Sequence, residues 1–189
     1  MDRMEADPAR NDVLVLVDGL DRPIGTATKE QAHRDDLLHR AFSVVLVREV
    51  HSELELLLAQ RAEGKYHSAG LWANSCCSHP RAGEALIDAA RRRVPEELGC
   101  DVSGLREVGA FVYHAEFAGG LTEFEYDHVL VGRCEGEPTP DPAEVGAVRW
   151  VNLDVLAAEL AMHPERFAAW APMALSIAMR HCTHLDAVH

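Results

Sequence analysis

The chain has 189 residues, of which 48% are hydrophobic and 26% are charged, which fits one globular domain with a buried core. Its formal net charge of −13 argues against a nucleic-acid partner, because such partners bind to a basic face. No apolar run approaches the roughly 20 residues that span a bilayer, and residues 1–12 are charged and lack the apolar stretch of a signal peptide. We therefore expect a cytoplasmic protein without membrane association, in which the five cysteines stay reduced.

The first half of the chain predicts three strands and one helix. Strands are expected at residues 13–17, with a turn-rich stretch after them that indicates a hairpin, and at residues 42–47 and 55–59. A loop is expected over residues 61–80. The helix is expected over residues 84–98, where apolar residues recur at near-helical spacing, and Gly99 is a natural end for it.

The second half predicts strands at residues 107–114, 124–133 and 148–151, a loop at 135–142, and closing helices at 154–160 and 164–179. The sequence contains no internal repeat and no linker long enough to divide it. We therefore expect one compact α/β (α+β) domain over residues 13–182, with a flexible arm at residues 1–12 and a flexible tail at 183–189.

The end of the predicted helix resembles the Nudix box, a loop and helix that hold a metal ion against a diphosphate. The positions that match its pattern are Glu84, Arg92, Val94, Glu96, Glu97 and Gly99. Ser78 replaces the first Gly of the pattern, and Arg93 replaces the Glu that follows the Arg. Hydrolytic enzymes need several carboxylates to hold metal and activate water. A cation at position 93 therefore predicts a box that binds a diphosphate without cutting it.

Pro95 lies inside this helix and removes a backbone donor, so a distortion near Glu97 is expected.

Three separated patches carry a more specific resemblance: residues 29–43, residues 61–80, and Tyr113 together with residues 122–126. At these residues the chain resembles the type I isopentenyl-diphosphate isomerases, a branch of the Nudix superfamily, and the resemblance runs from about residue 13 to residue 170. It implies the Nudix fold, with mixed β-sheets packed between helices. It also implies isomerisation of isopentenyl diphosphate to dimethylallyl diphosphate through a tertiary carbocation, in isoprenoid biosynthesis.

The resemblance implies two divalent-metal sites. The residues that match the ligands of the first are His33, His39, His79, Glu123 and Glu125. Glu123 and Glu125 alternate along a predicted strand and so point to one face. Imidazoles and carboxylates in this number suit Mn²⁺ or Mg²⁺ in octahedral geometry better than a tetrahedral Zn²⁺ site, and Zn²⁺ stays a third candidate. Glu97 matches the carboxylate that helps to hold a diphosphate-bound Mg²⁺.

The resemblance also assigns proton-transfer residues. Cys77 and Glu125 match a pair on opposite faces of the substrate, and Tyr113 matches a phenol that hydrogen-bonds into the relay. In that scheme Glu125 with Tyr113 protonates the terminal methylene carbon, and Cys77 as a thiolate deprotonates the neighbouring methylene. The opposite direction of transfer stays open, because the reaction is reversible. A Cys77–His79 protease dyad is disfavoured, since the two residues are close in sequence and no orienting third group is evident.

The implied substrate contacts divide into two groups. Lys29, Arg61, Lys65 and Arg93 match residues that bind the diphosphate oxygens. Trp170 matches an indole that faces the carbocation, where an aromatic face stabilises positive charge. Trp72 resembles a residue that lines the pocket, although large aromatic side chains usually belong to a core.

Two other functions stay open at this point. A Nudix hydrolase would have an intact box and an aromatic site for a base, and both Arg93 and the segment Cys77–His79 argue against it. A metal-stabilised binding protein without catalysis would keep the ligands and lose the proton exchange. We expect the partner to be a small diphosphate and the chain to be a monomer, with a homodimer as the alternative.

Overall fold

The computed structural model describes residues 13–65 and 67–186, with side chains as far as Cys182. The predicted arm at residues 1–12 and the last three residues of the predicted tail lie outside the described residues. The backbone of residues 183–186 continues the final helix, which ends at Asp186.

The described residues form nine strands and four α-helices. The strands are β1 (Val13–Val17), β2 (Pro23–Thr28), β3 (His39–Val50), β4 (Glu53–Arg61), β5 (Trp72–Ala73), β6 (Cys76–Ser78), β7 (Asp101–Phe117), β8 (Leu121–Glu135) and β9 (Val145–Asn152). The helices are α1 (Lys29–Arg34), α2 (Leu86–Leu98), α3 (Leu153–Met162) and α4 (Ala171–Asp186). None of these helices is long and apolar enough to cross a membrane.

The strands join into one mixed, branched sheet in which β3 is central. β3 runs parallel to β8 from the pair His39–Glu125 onward, and it pairs with β4 in antiparallel fashion only from Val47 onward. Before that point β3 pairs with β6 and β4 pairs with β5. β3 and β4 therefore separate at one end, and the short strands β5 and β6 occupy the two sides of the opening.

Apolar residues alternate along β3 and supply two cores on opposite faces of the sheet. Phe42, Val44 and Leu46 pack with α2 on one face. Val45 and Val47 pack with α3 and α4 on the other. Burying a side chain of this size contributes about 1.5–3 kcal/mol each. The fold is the predicted arrangement of mixed sheet between helices in one domain.

Every predicted strand is present, and most extend further than the sequence indicates. β7, for example, has 17 residues with alternating exposure, because its ladder with β8 continues past the apolar run on which the prediction depended. The uninterrupted loop expected over residues 61–80 is wrong, since it contains β5 and β6. Strands of two and three residues are too short to show a periodic pattern. α1, with six residues, was missed for the same reason.

The predicted helix over residues 164–179 is also wrong at its beginning. Pro164–Arg166 form a 3₁₀ turn, residues 167–170 leave the helical path, and α4 starts at Ala171. The break is stabilised by β5, because Ala168 donates its N–H to the Trp72 carbonyl over 2.9 Å. The break brings the Trp170 side chain into the interior, where it is 4% exposed.

α2 begins at Leu86, two residues later than predicted, and continues through Pro95 to Leu98. Pro95 removes one hydrogen bond near the end of the helix, and Val94 and Leu98 remain fully buried on either side of it. Gly99 ends the helix with φ of 62° and donates its N–H to the Pro95 carbonyl. A side chain here would also meet Thr139 O at 2.3 Å, so the position requires glycine.

Candidate active site

An open cleft lies where β3 and β4 separate. The predicted site residues that line it are Lys29, Arg61, Lys65, Cys77, His79, Arg93, Glu97, Tyr113, Glu123, Glu125 and Trp170. They come from every part of the chain and meet because the strands bring them to one end of the sheet. Trp72 is not among the lining residues, and its ring lies against the Arg149 guanidinium at 4.6 Å.

A buried cluster of metal-binding side chains lies beside the cleft. Ligand atoms of His33, His39 and Glu125 are all within 4.8 Å of one another. His79 Nε2 is 3.0 Å from Glu125 Oε1, and His39 Nε2 is 3.4 Å from the same oxygen. The strand register explains part of the cluster, because His39 on β3 lies directly opposite Glu125 on β8.

Burial holds two of the three imidazoles of the cluster neutral, whereas for His39 burial is outweighed by the hydrogen bond to Glu125 and the nearby carboxylate charges, which raise the pKa. Burial, together with the charge of His39, lowers the pKa of His33 to about 3, and burial also lowers the pKa of His79. Both imidazoles are therefore neutral near pH 7. His39 Nδ1 lies 2.8 Å from the Leu37 carbonyl, which can only accept a hydrogen bond, so Nε2 is the nitrogen that faces the cluster. The group is compatible with divalent-metal binding.

Glu123 and Glu125 are connected through one phenol. The Tyr113 hydroxyl lies 2.7 Å from Glu125 Oε2 and 2.9 Å from Glu123 Oε2, and Tyr113 is the cross-strand neighbour of Glu125. On the other side of Glu123, His67 Nε2 lies 2.7 Å from Oε1. Burial raises the pKa of Tyr113 well above its usual range, so the phenol keeps its proton and can donate it to only one carboxylate at a time.

Cys77 lies on β6 opposite Ser43 of β3. Its sulfur is 3.6 Å from Ser43 Oγ, which donates a hydrogen bond of 2.7 Å to Asp127 Oδ2. Burial and the nearby Asp127 raise the pKa of the Cys77 thiol. The resting thiol is therefore protonated, whereas Glu125 is held ionised because its hydrogen bonds to His39 and His79 outweigh the effect of burial and lower its pKa.

Trp170 closes the cleft next to this thiol. Its indole N–H donates to Cys77 Sγ over 3.0 Å. The Arg61 guanidinium carbon lies 5.2 Å from the centre of the indole ring, within the range at which a cation gains from an aromatic face. The ring therefore already lies beside a positive charge in the free protein.

The cationic residues lie around the cleft together with acidic partners. Lys65 forms a short ion pair with Glu144. Arg93 Nη2 lies 2.5 Å from Glu97 Oε1. Burial, with a contribution from Glu144 and against the effect of Arg93, raises the pKa of Glu97. An incoming diphosphate and its cation would exchange partners with these pairs, because the anion suits Lys65 and Arg93 while the metal suits the carboxylates.

The carboxylates of the box-like segment are each paired with arginine. Glu84 accepts two hydrogen bonds of 2.9 Å from Arg92, and Arg93 Nη1 lies 2.6 Å from Glu96 Oε2. With Glu97 also bound to Arg93, the three carboxylates serve as ion-pair partners on this helix. This arrangement differs from the group of carboxylates that a metal-dependent hydrolase needs.

Among the cleft residues without a role in the sequence predictions are His67, Asn74, Asp127 and Glu144. Asp127 follows the alternation of Glu123 and Glu125 along β8, so the same period-two argument could have found it. His67 and Asn74 lie in the region predicted as an open loop. Nothing in their local pattern distinguishes them from solvent-exposed polar residues.

The fold and the cleft define a NUDIX-domain protein, and the sequence model described as NUDIX domain matches residues 37–171. The curated relatives include an isopentenyl-diphosphate Delta-isomerase 2 from Photorhabdus laumondii, which is 48% identical over 85% of this chain and 88% of its own length. An isopentenyl-diphosphate Delta-isomerase from Burkholderia multivorans is 50% identical over 83% of this chain and 87% of its own. The chain belongs to this isopentenyl-diphosphate Delta-isomerase family within the NUDIX proteins.

Solved structures agree with the fold. The crystal structure of DR0079 from Deinococcus radiodurans superimposes with a TM-score of 0.69, covering 87% of this chain and 97% of that one. The two sequences are 21% identical, and the likeness therefore concerns the fold alone.

Proposed function

We propose that this chain converts isopentenyl diphosphate to dimethylallyl diphosphate by protonation and deprotonation through a tertiary carbocation. The observation that carries the proposal is the cleft itself. A thiol, Cys77, and a carboxylate, Glu125, line one partly buried space beside an indole, Trp170, and cationic side chains lie around the same space. The family relationship supports the same reaction.

Each group in the cleft answers one requirement of this reaction. The double bond of the substrate is a weak base, so a proton donor must be held against the terminal carbon. The π electrons then form the new C–H bond and leave a tertiary cation. A base on the other side takes a proton from the neighbouring methylene, and the electrons of that C–H bond form the new double bond. The diphosphate is unchanged, and no hydrogen is gained or lost.

Cys77 and Glu125 are the proposed proton-transfer pair, with Tyr113 hydrogen-bonded to the carboxylate. Their resting states, a protonated thiol and an ionised carboxylate, provide one donor and one acceptor. This corresponds to the opposite direction of transfer from the one that the family resemblance implies. After one turnover the donor lacks its proton and the acceptor carries one, so exchange with water must restore the pair. Trp170 supports the positive charge and excludes water from it.

We further propose the occupants of the polar parts of the site. A divalent ion, Mn²⁺ or Mg²⁺ with Zn²⁺ as the third candidate, would be held by His33, His39, His79, Glu123 and Glu125, and when bound it fixes the charge and orientation of the carboxylates. A Mg²⁺ that accompanies the diphosphate would contact Glu97 and neutralise the substrate. Lys29, Arg61, Lys65 and Arg93 would hold the phosphate oxygens.

The same proposal places the reaction in the cytoplasm, with the isolated chain acting as a monomer. In this proposal each protein completes its own cleft. A homodimer is the other outcome of a light-scattering measurement and leaves the assignment of the cleft unchanged.

The decisive experiment is proton NMR of isopentenyl diphosphate incubated with the protein and Mg²⁺ or Mn²⁺ in D₂O. We expect the methyl signals of dimethylallyl diphosphate to appear with deuterium incorporated, and the reaction to stop in excess chelator and resume when metal is added. A parallel assay with nucleoside diphosphate derivatives measures phosphate release. Hydrolysis without isomerisation would overturn the proposal, as would retained ligand binding without any deuterium exchange.

A further inference from the structure

Asn74 lies in the turn between β5 and β6 and is 1% exposed. Its Nδ2 lies 3.1 Å from the Val44 carbonyl and 3.1 Å from the Cys76 carbonyl. Backbone carbonyls only accept hydrogen bonds, so the amide nitrogen must face them and use both of its hydrogens there. The orientation of the amide is therefore determined by the backbone of β3 and β6, and the amide oxygen points away from them.

That oxygen lies between two residues of the proposed reaction site. The Cys77 thiol donates to Asn74 Oδ1 over 3.1 Å, and the Trp170 indole N–H lies 3.1 Å from the same atom. The indole N–H is also 3.0 Å from Cys77 Sγ. Cys77 and Trp170 are far apart in sequence, and one amide oxygen connects them.

We propose that Asn74 is a positioning residue that fixes the thiol hydrogen of Cys77 and the indole ring of Trp170 with respect to each other. This inference rests on the proposed function, because the orientation that Asn74 gives to Cys77 and Trp170 matters only if both act in that reaction. A thiol rotates freely about its Cβ–Sγ bond unless an acceptor fixes the hydrogen. Asn74 is such an acceptor, and it cannot turn because both of its donor hydrogens are already committed.

An amide is the group that this position requires. An aspartate has the same shape but would place a second oxygen against the two carbonyls, which repels unless the carboxyl is protonated. A leucine has a similar volume and no polar atoms, so it would remove both the acceptor and the two backbone contacts. These two substitutions change the hydrogen bonding of the site and largely preserve its packing.

Ser75 provides a matched control in the same turn. It is also 1% exposed. Its hydroxyl donates to the Leu57 carbonyl over 2.7 Å and accepts from the Leu46 N–H over 2.8 Å. Both partners are backbone atoms, of β4 and β3 respectively. The Ser75 hydroxyl has no hydrogen bond to the Cys77 thiol or to the Trp170 indole. Ser75→Ala therefore removes buried hydrogen bonds from the turn and leaves the hydrogen bonds of Asn74 to Cys77 and Trp170 in place.

The test compares Asn74→Leu, Asn74→Asp and Ser75→Ala in the metal-loaded protein. Isomerisation kinetics give kcat and KM, and the Trp170 indole N–H resonance of ¹⁵N-labelled protein, assigned with Trp170→Phe, reports the contact directly. We expect both Asn74 variants to lose about 100-fold in kcat, the size of effect that misplaced reacting groups cause, with KM nearly unchanged and the indole resonance shifted. Ser75→Ala should lower the melting temperature and leave kcat and the resonance unchanged.

Two results would overturn the inference: near-normal kcat in a folded Asn74 variant, or an unshifted indole resonance in it. An equal loss of kcat in Ser75→Ala would also overturn it, because the effect would then belong to the stability of the turn. If Asn74→Leu fails to fold, Asn74→Asp, which has the shape of the native side chain, carries the test. A wild-type protein without isomerase activity would refute the proposed function, whereas the indole resonance would still decide whether Asn74 orients Trp170.

Discussion

Tyr113 and Glu125 face each other across the β7–β8 ladder, and the phenol oxygen lies 2.7 Å from the carboxylate. The β7–β8 ladder continues on both sides of this pair. The hydroxyl is thus held where a proton relay to Glu125 would need it, and the contact does not depend on a mobile loop.

Tyr113→Phe should lower kcat by about 10- to 100-fold, because it removes one hydrogen bond from the proton-transfer carboxylate while the ring keeps its packing. KM should change little, since the phenol does not contact the diphosphate group in the proposed arrangement. Steady-state kinetics by NMR check both values. Phe111→Leu removes a partly buried ring on the same strand, 5.9 Å from the Tyr113 ring, and controls for altered packing around the phenol. An equal loss of kcat in this variant would contradict the relay.

Cys77→Ala should reduce isomerisation and solvent-deuterium incorporation by about 10²- to 10⁴-fold, the contribution of a positioned acid or base. Its thermal unfolding should stay close to that of the wild-type protein, because the side chain is only partly buried. Cys100→Ala is the matched control, since that thiol packs into the core against α2 and does not line the cleft. Turnover of Cys77→Ala at a rate near that of the control would remove the thiol from the mechanism.

Arg93→Gln should raise the KM for isopentenyl diphosphate by about tenfold or more, since a charge-assisted contact to phosphate is lost, with a smaller change in kcat. Arg91→Gln serves as the control, because Arg91 lies on the same helix with a side chain that is 60% exposed. Its ion-pair contact with Asp88 is a long one of 3.9 Å at the surface. Equal KM values for the two variants would show that Arg93 does not contact the diphosphate.

Glu84→Gln tests whether Glu84 of the box-like segment stabilises the fold through its ion pair with Arg92 and has no part in catalysis. Arg92 hydrogen bonds lower the pKa of Glu84 below its usual 4.5. The stabilisation is therefore complete above pH of about 4.5, where the unfolded group is ionised, and is lost as pH falls through the lowered pKa. The variant should be less stable by about 1–2 kcal/mol at pH 7, with a difference that shrinks as the pH falls below about 4.5, and should keep its kcat. Urea unfolding across this range checks the sign, and a large loss of kcat would indicate a catalytic carboxylate instead.

The sequence predicts the carboxylate face of the site for a physical reason. Glu123 and Glu125 belong to a strand, and the period of two places them on one side. It could not show that His39 lies opposite Glu125, because the parallel register of β3 and β8 is set by long-range pairing. Similarly, Trp170 reaches the cleft only because the chain breaks before α4, where helical spacing alone predicts a continuous helix.

The part of the site that sequence patterns miss lies between β4 and β6. His67 and Asn74 belong to a segment whose path is determined by hydrogen bonds to distant strands. Its sequence shows neither helical nor strand periodicity. The family resemblance places this segment near the reaction centre and assigns Cys77, but it gives no role to these two neighbours. Their partners become apparent only from the distances to Glu123, Cys77 and Trp170.

His67→Ala should weaken divalent-metal binding by about 10- to 100-fold, because His67 holds Glu123, a proposed metal ligand, from outside the cluster. The imidazole also stacks on Phe117 at 4.2 Å between ring centres, so the ring has a fixed orientation when it contacts the carboxylate. Isothermal titration of the metal-free protein with Mn²⁺ measures the affinity directly and does not require turnover.

The matched variants for this experiment are His67→Gln and His163→Ala. Glutamine offers a polar N–H group to Glu123 and should recover part of the affinity, whereas alanine offers none. His163 is a partly exposed residue that follows α3, and it contacts Glu165 at 3.3 Å, so its removal should leave metal binding unchanged. An unaltered Mn²⁺ affinity in His67→Ala would mean that Glu123 is oriented by Tyr113 alone, or that it does not bind the metal.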